Sequence, residues 1–388
     1  ILMSLTRVNI RSIFLQRFVD EMMILQSNTN NNMTTSSTTI PPPPPPLLPQ
    51  RPSSSSSQQP EQQLQPRRRR RRRLLIIAAV PKDERHIYTL WTQLECFTTT
   101  VDTVILSVPD WSYDIIEPVV QLAKQSIPHF ITHQSSLMVQ YTINDRYDVG
   151  LWCDALQLLQ YHQENNSSNN SHSLMKDDYD EIGLINDSVF ALRSFSTIFD
   201  VLTTQRNNNN NTTTRLVSLS YSYSSKYFQH YGSEHYWVES IFRTFDIQGL
   251  EMFQNYSCSF KADHAVFCPT KPRWKRKDCV VNYFEHDLAA QYLQNNNNNT
   301  TTTNHDDNYS NKAVYGMYPT DVFKANGQVS TWAIHDDHWR DVLVQQLGFP
   351  IAKANRPKNV IPNIQTDPLL QNCTRYLQPN RSALAALN

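Results

Sequence analysis

Glycine is scarce in this chain. It occurs seven times in 388 residues, at Gly150, Gly183, Gly232, Gly249, Gly316, Gly327 and Gly348, and no two lie within ten positions of each other. A dinucleotide fingerprint, a P-loop or a kinase glycine loop needs clustered glycines, because only a backbone without Cβ approaches phosphate closely enough. Those classes are excluded, and so is an α/β-hydrolase, since no G-x-S-x-G elbow is present. The six cysteines (Cys96, Cys153, Cys258, Cys268, Cys279 and Cys373) include no C-x-x-C pair, which argues against a zinc or thioredoxin-type site. Cys258, Cys268 and Cys279 are close enough in sequence for one disulfide, and buried free thiols are an equal alternative. No run of about 18 apolar residues exists, so no transmembrane segment is expected. Residues 1–25 are partly apolar but broken by Arg7, Arg11, Arg17 and Asp20, and read as upstream sequence rather than a targeting signal.

A formal net charge of zero conceals an asymmetry. Residues 1–73 carry 11 basic and 3 acidic side chains, whereas residues 74–388 carry 24 basic and 32 acidic ones. From Gln26 to Arg73 the chain consists of Asn/Thr/Ser tracts, the proline run Pro41–Pro46, a serine run and Arg67–Arg73. Such a segment buries too little apolar surface to offset chain entropy, so 1–73 is expected to be a disordered leader. The arginine run could meet nucleic acid or an anionic membrane by charge alone, without specificity. The acidic remainder argues against a specific nucleic-acid-binding module. Asn-rich tracts at 165–170, 207–214 and 295–304 interrupt patterned sequence and read as surface insertions, which cost little in loop closure. The expected organisation is a leader (1–73), one α/β domain (74–360) and a tail (361–388).

From Leu74 the apolar pattern alternates between strand and helix. Strands are expected at Leu74–Val80, Val101–Val108, Met138–Ile143, Glu181–Ile185 and Leu216–Tyr221. Helices are expected from the Asp83 cap to Phe97, and over Tyr113–Gln125, Leu151–Tyr161, Phe190–Leu202 and Glu234–Phe245. This alternation predicts a Rossmann-like, mostly parallel sheet with right-handed crossovers. Ligands of open α/β sheets bind beyond the carboxyl ends of the strands. Here that rule selects Asp110–Ser112, Asn144–Asp148 and Asn186–Ser188, and in two of these places Asn-Asp follows an apolar strand directly.

Several side chains there can carry chemistry. Asp187 ends the fourth strand, where a glycosyltransferase of the A-type fold carries the acidic motif that holds Mn²⁺ or Mg²⁺ against a leaving diphosphate. The second carboxylate of such a motif is missing, because Asn186 and Ser188 flank the aspartate. The same triplet is also good N-cap composition for the expected following helix. His235 and Glu239 stand at i, i+4 on an expected helix, where they could orient an acceptor hydroxyl and take its proton, or form an ordinary surface pair. His335-Asp336-Asp337-His338 resembles a metal cluster only in composition, since adjacent side chains diverge. Lys271, Arg273, Lys275, Arg276 and Lys277 around Trp274 suit a diphosphate, an anionic acceptor or simple solvation. Glu285 lies in the helical stretch Val280–Tyr292 and reads as structural.

The order of motifs points further. Tyr147-Asp148-Val149-Gly150, then Tyr179-Asp180-Glu181, then Asn186-Asp187-Ser188-Val189-Phe190 resembles the rhamnan synthesis F family of polysaccharide-assembly glycosyltransferases. Val280–Leu288 is similar to that family's [YF]-E helix, and Leu347–Lys353 to its closing G-x-P-[FI]-x-K element. The resemblance spans Leu74 to Lys353. It implies a nucleotide-sugar donor, a glycan or polysaccharide acceptor, and a deoxyhexose such as rhamnose as the sugar. It also implies that Asp187 acts at the donor site with Asp148 and Asn186 beside it; with the strand-end positions Asn144 and Ser188 these form the expected donor-binding set, and Asp187 is the expected metal ligand. The acceptor side departs from the pattern, because His235–Ser240 matches the family's H-x-x-S element only loosely.

Three readings follow: a transferase, a catalytically inactive relative that binds glycans or a partner, and a leader-recruited nucleic-acid or membrane protein. The compartment is left open between the secretory pathway, including the Golgi, and the cytoplasm. N-x-[ST] triplets such as Asn255-Tyr256-Ser257, Asn372-Cys373-Thr374 and Asn380-Arg381-Ser382 matter only in the first of these, and chance matches are expected in so Asn-rich a chain.

Overall fold

The computed structural model describes residues 71–144, 147–165, 178–208, 214–222, 237–259, 288–289, 291–292, 313–319, 344 and 349–353. The centre is a mixed eight-stranded sheet. Its first strands are β1 (Arg73–Ala78), β2 (Thr103–Pro109), β3 (Ser136–Thr142) and β4 (Glu181–Asn186), all mutually parallel in the order β3-β2-β1-β4. The connecting helices are α1 (Glu84–Phe97), α2 (Tyr113–Ser126), the short α3 (Pro128–Ile131) and α4 (Tyr147–Asn165). The class is the Rossmann-like α/β arrangement that the alternation predicts.

The strand sequences explain the layers. Leu74 to Ala78 are completely buried, as expected for a parallel strand covered on both faces. Leu74, Ile76 and Ala78 share one cluster with Leu151, Trp152, Ala155 and Leu156 of α4. On the opposite face Leu75 and Gly183 meet Phe199. A Cβ on Gly183 would come 2.9 Å from the Phe199 ring and 3.0 Å from Leu75, so only glycine lets the helix approach β4 this closely.

One expected helix is found only in its second half and another is replaced by strands, for related reasons. The span Phe190–Leu202 begins instead as β5 (Val189–Ala191), which pairs antiparallel with β10 (Ile351–Lys353), and the helix α5 starts only at Thr197 and runs to Asn208. A strand partner some 160 residues away in sequence overrides the local helical spacing. The expected helix Glu234–Phe245 is replaced by β7 (Trp237–Val238) and β8 (Phe242–Asp246), with 234–236 outside the described residues. β8 runs antiparallel between β4 and β6 (Leu216–Ser222). All five of its residues are buried, so continuous burial, not a helical face, produces its apolar spacing. β9 (Val314–Pro319) pairs parallel with β6. The Asp246 carboxylate caps the next helix, α6 (Ile247–Phe253), by accepting from Gly249 N at 2.7 Å, and a π-helical turn, Gln254–Cys258, follows.

The arginine run does not stop at the domain edge. The compact unit starts at Arg71. The Arg71 and Arg73 guanidinium groups donate to buried Glu181 at 3.0 and 2.7 Å, Arg73 also reaches Asp200 at 2.7 Å, and Arg72 N donates to Asp180 at 2.9 Å. The last three arginines therefore belong to the folded sheet edge, and Tyr179-Asp180 anchors them, with the Tyr179 hydroxyl donating to Thr103 at 2.9 Å.

The cysteine expectation also needs correction. Cys258 pairs with Cys153, 105 residues earlier, with Cα atoms 5.3 Å apart. The bond fastens the π-helical turn to α4. Cys96 is disulfide-bonded as well. Among the described residues no helix is long and apolar enough to cross a membrane.

Candidate functional site

The carboxyl end of β4 gathers the motif residues. Asp187 N donates to Ala78 O at 3.0 Å, and the Asp187 carboxylate accepts from Val80 N at 2.7 Å, so the aspartate is bound to the end of β1. Thr89 of α1 donates to Asp187 O at 2.7 Å, and Gln93 donates to the carbonyls of Asn186 and Val189. Asp187 is thus no helix cap: β5 follows it, and its oxygen serves β1. Asn186 Nδ2 donates to the Asp148 carboxylate at 2.9 Å. Ser188 donates from both N and Oγ to Asn186 Oδ1. Lys353 Nζ, brought across by the β5–β10 pairing, donates to Ser188 Oγ at 3.0 Å.

Electrostatics make this corner unusual. Asp187 is 5% exposed, and burial first, then the Asp148 carboxylate, push its pKa from 3.8 up to about 7. His86, the Val80 N–H and Lys82 act in the opposite direction. Asp148 sits at the first turn of α4, directly after Tyr147, whose φ of 57° lies in the left-handed region. For a non-glycine residue that conformation stores strain, and the next residue, Asp148, is the one bonded to Asn186. Asp148, from the first turn of α4, thus brings a second carboxylate near enough to act on Asp187.

The other expected site residues divide. Glu239 is not on a helix; it lies between β7 and β8, buried, with Oε2 accepting from Ser220 Oγ at 2.6 Å. The pairing of Phe242 with Ile185 nevertheless puts Glu239 beyond the carboxyl end of β4, on the same sheet edge as Asp187. Asn144 ends up at the tip of β3, three strands from β4, with its Oδ1 buried and without a hydrogen-bond partner. It is not joined to the Asp187 group. His235, Glu285, the basic loop around Trp274 and His335–His338 lie outside the described residues. Among the described residues no group of three or more His, Cys, Asp or Glu is arranged to hold a metal ion.

Sequence reasoning missed the contribution of Lys82 and His86. Lys82 and His86 follow β1, and their influence on Asp187 depends on β1 and β4 being neighbours, which no local pattern signals. Lys353 was visible in the closing motif, but its role appears only through β10. Trp111 and Tyr113, 51% and 53% exposed, stand after β2 at the same edge.

No family model matches the chain, and no curated protein matches it. A solved structure with some likeness is the apo form of WbbM, a bifunctional glycosyltransferase, at 11% identity and a TM-score of 0.31. The match covers 55% of this chain and 37% of that one, so the chain spans well under half of the length of that protein.

Proposed function

We propose that this protein is a nucleotide-sugar-dependent glycosyltransferase of the rhamnan synthesis F type, acting on a glycan or polysaccharide acceptor. The observation that carries the reading is the convergence of Asp187, Asp148, Asn186, Ser188 and Lys353 at the carboxyl end of β4. These residues come from motifs separated by up to two hundred positions in sequence, and the fold draws them to the sheet edge where α/β proteins bind ligands.

The donor's diphosphate is placed against this corner, with Lys353 and Lys82 as its cationic contacts and Asn186 and Ser188 as hydrogen-bonding neighbours. In the transfer step the bond between the anomeric carbon and the diphosphate oxygen breaks, and its electron pair leaves on the diphosphate. The acceptor hydroxyl oxygen forms the new bond to the anomeric carbon, and its proton passes to a base. Glu239 is the candidate base, held at the same edge by Ser220. Asp187 and Asp148 fit a divalent cation such as Mn²⁺ or Mg²⁺, because such ions take one or two carboxylates and complete their shell with phosphate oxygens and water. The raised pKa of Asp187 supports this fit, since a cation would relieve the burial and the neighbouring charge. When bound, the ion would neutralise charge on the leaving diphosphate.

The burial of Asp187 favours a second reading, an inactive relative that binds glycans without transfer. Calorimetric titration with dTDP or UDP in the presence of Mn²⁺ separates the donor-site reading from it. Binding that is lost in Asp187→Asn supports the first, and no binding of either nucleotide supports the second.

A further inference from the structure

Asn255, Tyr256 and Ser257 form an N-x-S triplet inside the π-helical turn Gln254–Cys258. Asn255 is exposed, whereas Ser257 is completely buried and its Oγ makes no hydrogen bond. Burying an unsatisfied hydroxyl costs stability, so the folded state gains nothing from a serine there. The next residue, Cys258, is bonded to Cys153, and the described cysteines Cys96, Cys153 and Cys258 are all in disulfides. Disulfides of this kind persist in oxidising compartments, where N-x-[ST] triplets are also used.

We propose that Asn255 is an N-glycan acceptor, modified in an oxidising secretory compartment before the Cys153–Cys258 bridge closes. The Ser257 hydroxyl, needed by the transfer machinery, is reachable only while the turn is open, which accounts for a serine that the finished fold does not use. In the step, Asn255 Nδ2 bonds to the anomeric carbon of a lipid-diphosphate-linked oligosaccharide. The bond from that carbon to the diphosphate oxygen breaks, its electron pair leaves on the lipid diphosphate, and the amide proton passes to the transferring enzyme's base. Asn186-Asp187-Ser188 has the same pattern, but a glycan on Asn186 is incompatible with the folded state, where that side chain is buried and donates to Asp148, whereas exposed Asn255 can carry one. The inference is independent of the glycosyltransferase reading.

The test uses the full chain recovered from its native cells. Free thiols are alkylated before unfolding, glycans are released with an amidase in ¹⁸O water, and peptides are mapped by mass spectrometry. A linked Cys153–Cys258 peptide and ¹⁸O-aspartate at position 255 are expected. Ser257→Ala should abolish the modification without lowering the melting temperature of the deglycosylated protein, Ser257→Thr should retain it, and Cys153→Ser should raise its occupancy. An unmodified Asn255 beside a closed bridge, or alkylated Cys153 and Cys258, would overturn the proposal.

Discussion

Asn186 donates its side-chain amide to the Asp148 carboxylate at 2.9 Å, tying the end of β4 to the first turn of α4. The bond matters because each residue flanks a source of charge. Asn186 precedes the buried Asp187, and Asp148 raises the pKa of that same aspartate. The hydrogen bond thus joins the residue before Asp187 to the carboxylate that raises the Asp187 pKa. Removing it by Asn186→Ala should cost about 1–2 kcal/mol in denaturant unfolding. It should also weaken nucleotide binding by roughly tenfold, the equivalent of about 1.4 kcal/mol. Unchanged affinity would detach Asn186 from the site.

The raised pKa of Asp187 has a consequence for stability. Below about pH 4 the carboxyl is protonated in both folded and unfolded chains, and it imposes no penalty. As pH rises from about 4 to about 7 the unfolded chain ionises first, so stability falls through that window and the loss is complete above it. The full effect is at most roughly 4 kcal/mol. Melting curves of the apo protein should show this decline, and Asp187→Asn, which keeps an acceptor for Val80 N, should flatten it. An unaltered pH profile in the variant would show that Asp187 is not the group responsible.

Divalent cations should act on the same penalty. If Asp187 and Asp148 share a cation, Mn²⁺ should raise the melting temperature more at pH 8 than at pH 5, because protons compete for the ligands at the lower pH. Asp148→Asn should reduce the Mn²⁺ effect. An equal shift at both pH values would place any bound metal elsewhere.

The arginine edge offers a test of where the domain begins. A chain starting at Leu74 lacks the Arg71 and Arg73 guanidinium groups that bond Glu181, which is 1% exposed. Removing two cationic partners of such a buried carboxylate should cost about 3 kcal/mol relative to a chain starting at Arg71. Comparison of their urea midpoints measures the difference, and equal midpoints would return Arg71–Arg73 to the leader.

The Cys153–Cys258 bridge closes a long loop. Cys153→Ser should therefore lower stability by roughly 2–4 kcal/mol, chiefly by freeing the unfolded chain. Reduction with dithiothreitol should reproduce much of that loss in the native protein and none in the variant beyond what other bridges contribute.

What the sequence made legible was whatever depends on neighbours along the chain. The run Leu74–Val80 announced a buried strand, Asp83 announced its helix, and Asn186-Asp187 marked the carboxyl end of β4. What it concealed depends on distant partners. Val189–Ala191 becomes a strand only because Ile351–Lys353 lies beside it, and Phe242–Asp246 is buried on two faces, so neither shows a period-2 alternation. Asp187 was identifiable as a candidate from its place after β4. Asp148 was also a candidate through the motif resemblance, but its approach to Asn186 depends on a left-handed Tyr147 that no propensity foretells. The arginine run looked like low complexity because composition does not show that Glu181 waits for its last members.

The most direct measurement is nucleoside diphosphate release from a panel of nucleotide sugars, with and without Mn²⁺, by the wild-type chain and by Asp187→Asn with a glycan acceptor mixture present. A transferase centred on Asp187 should release the nucleotide from at least one donor, and the variant should be slower by about 100-fold or more while remaining folded. No release from any donor, or equal rates in the two proteins, would contradict a donor site at the end of β4.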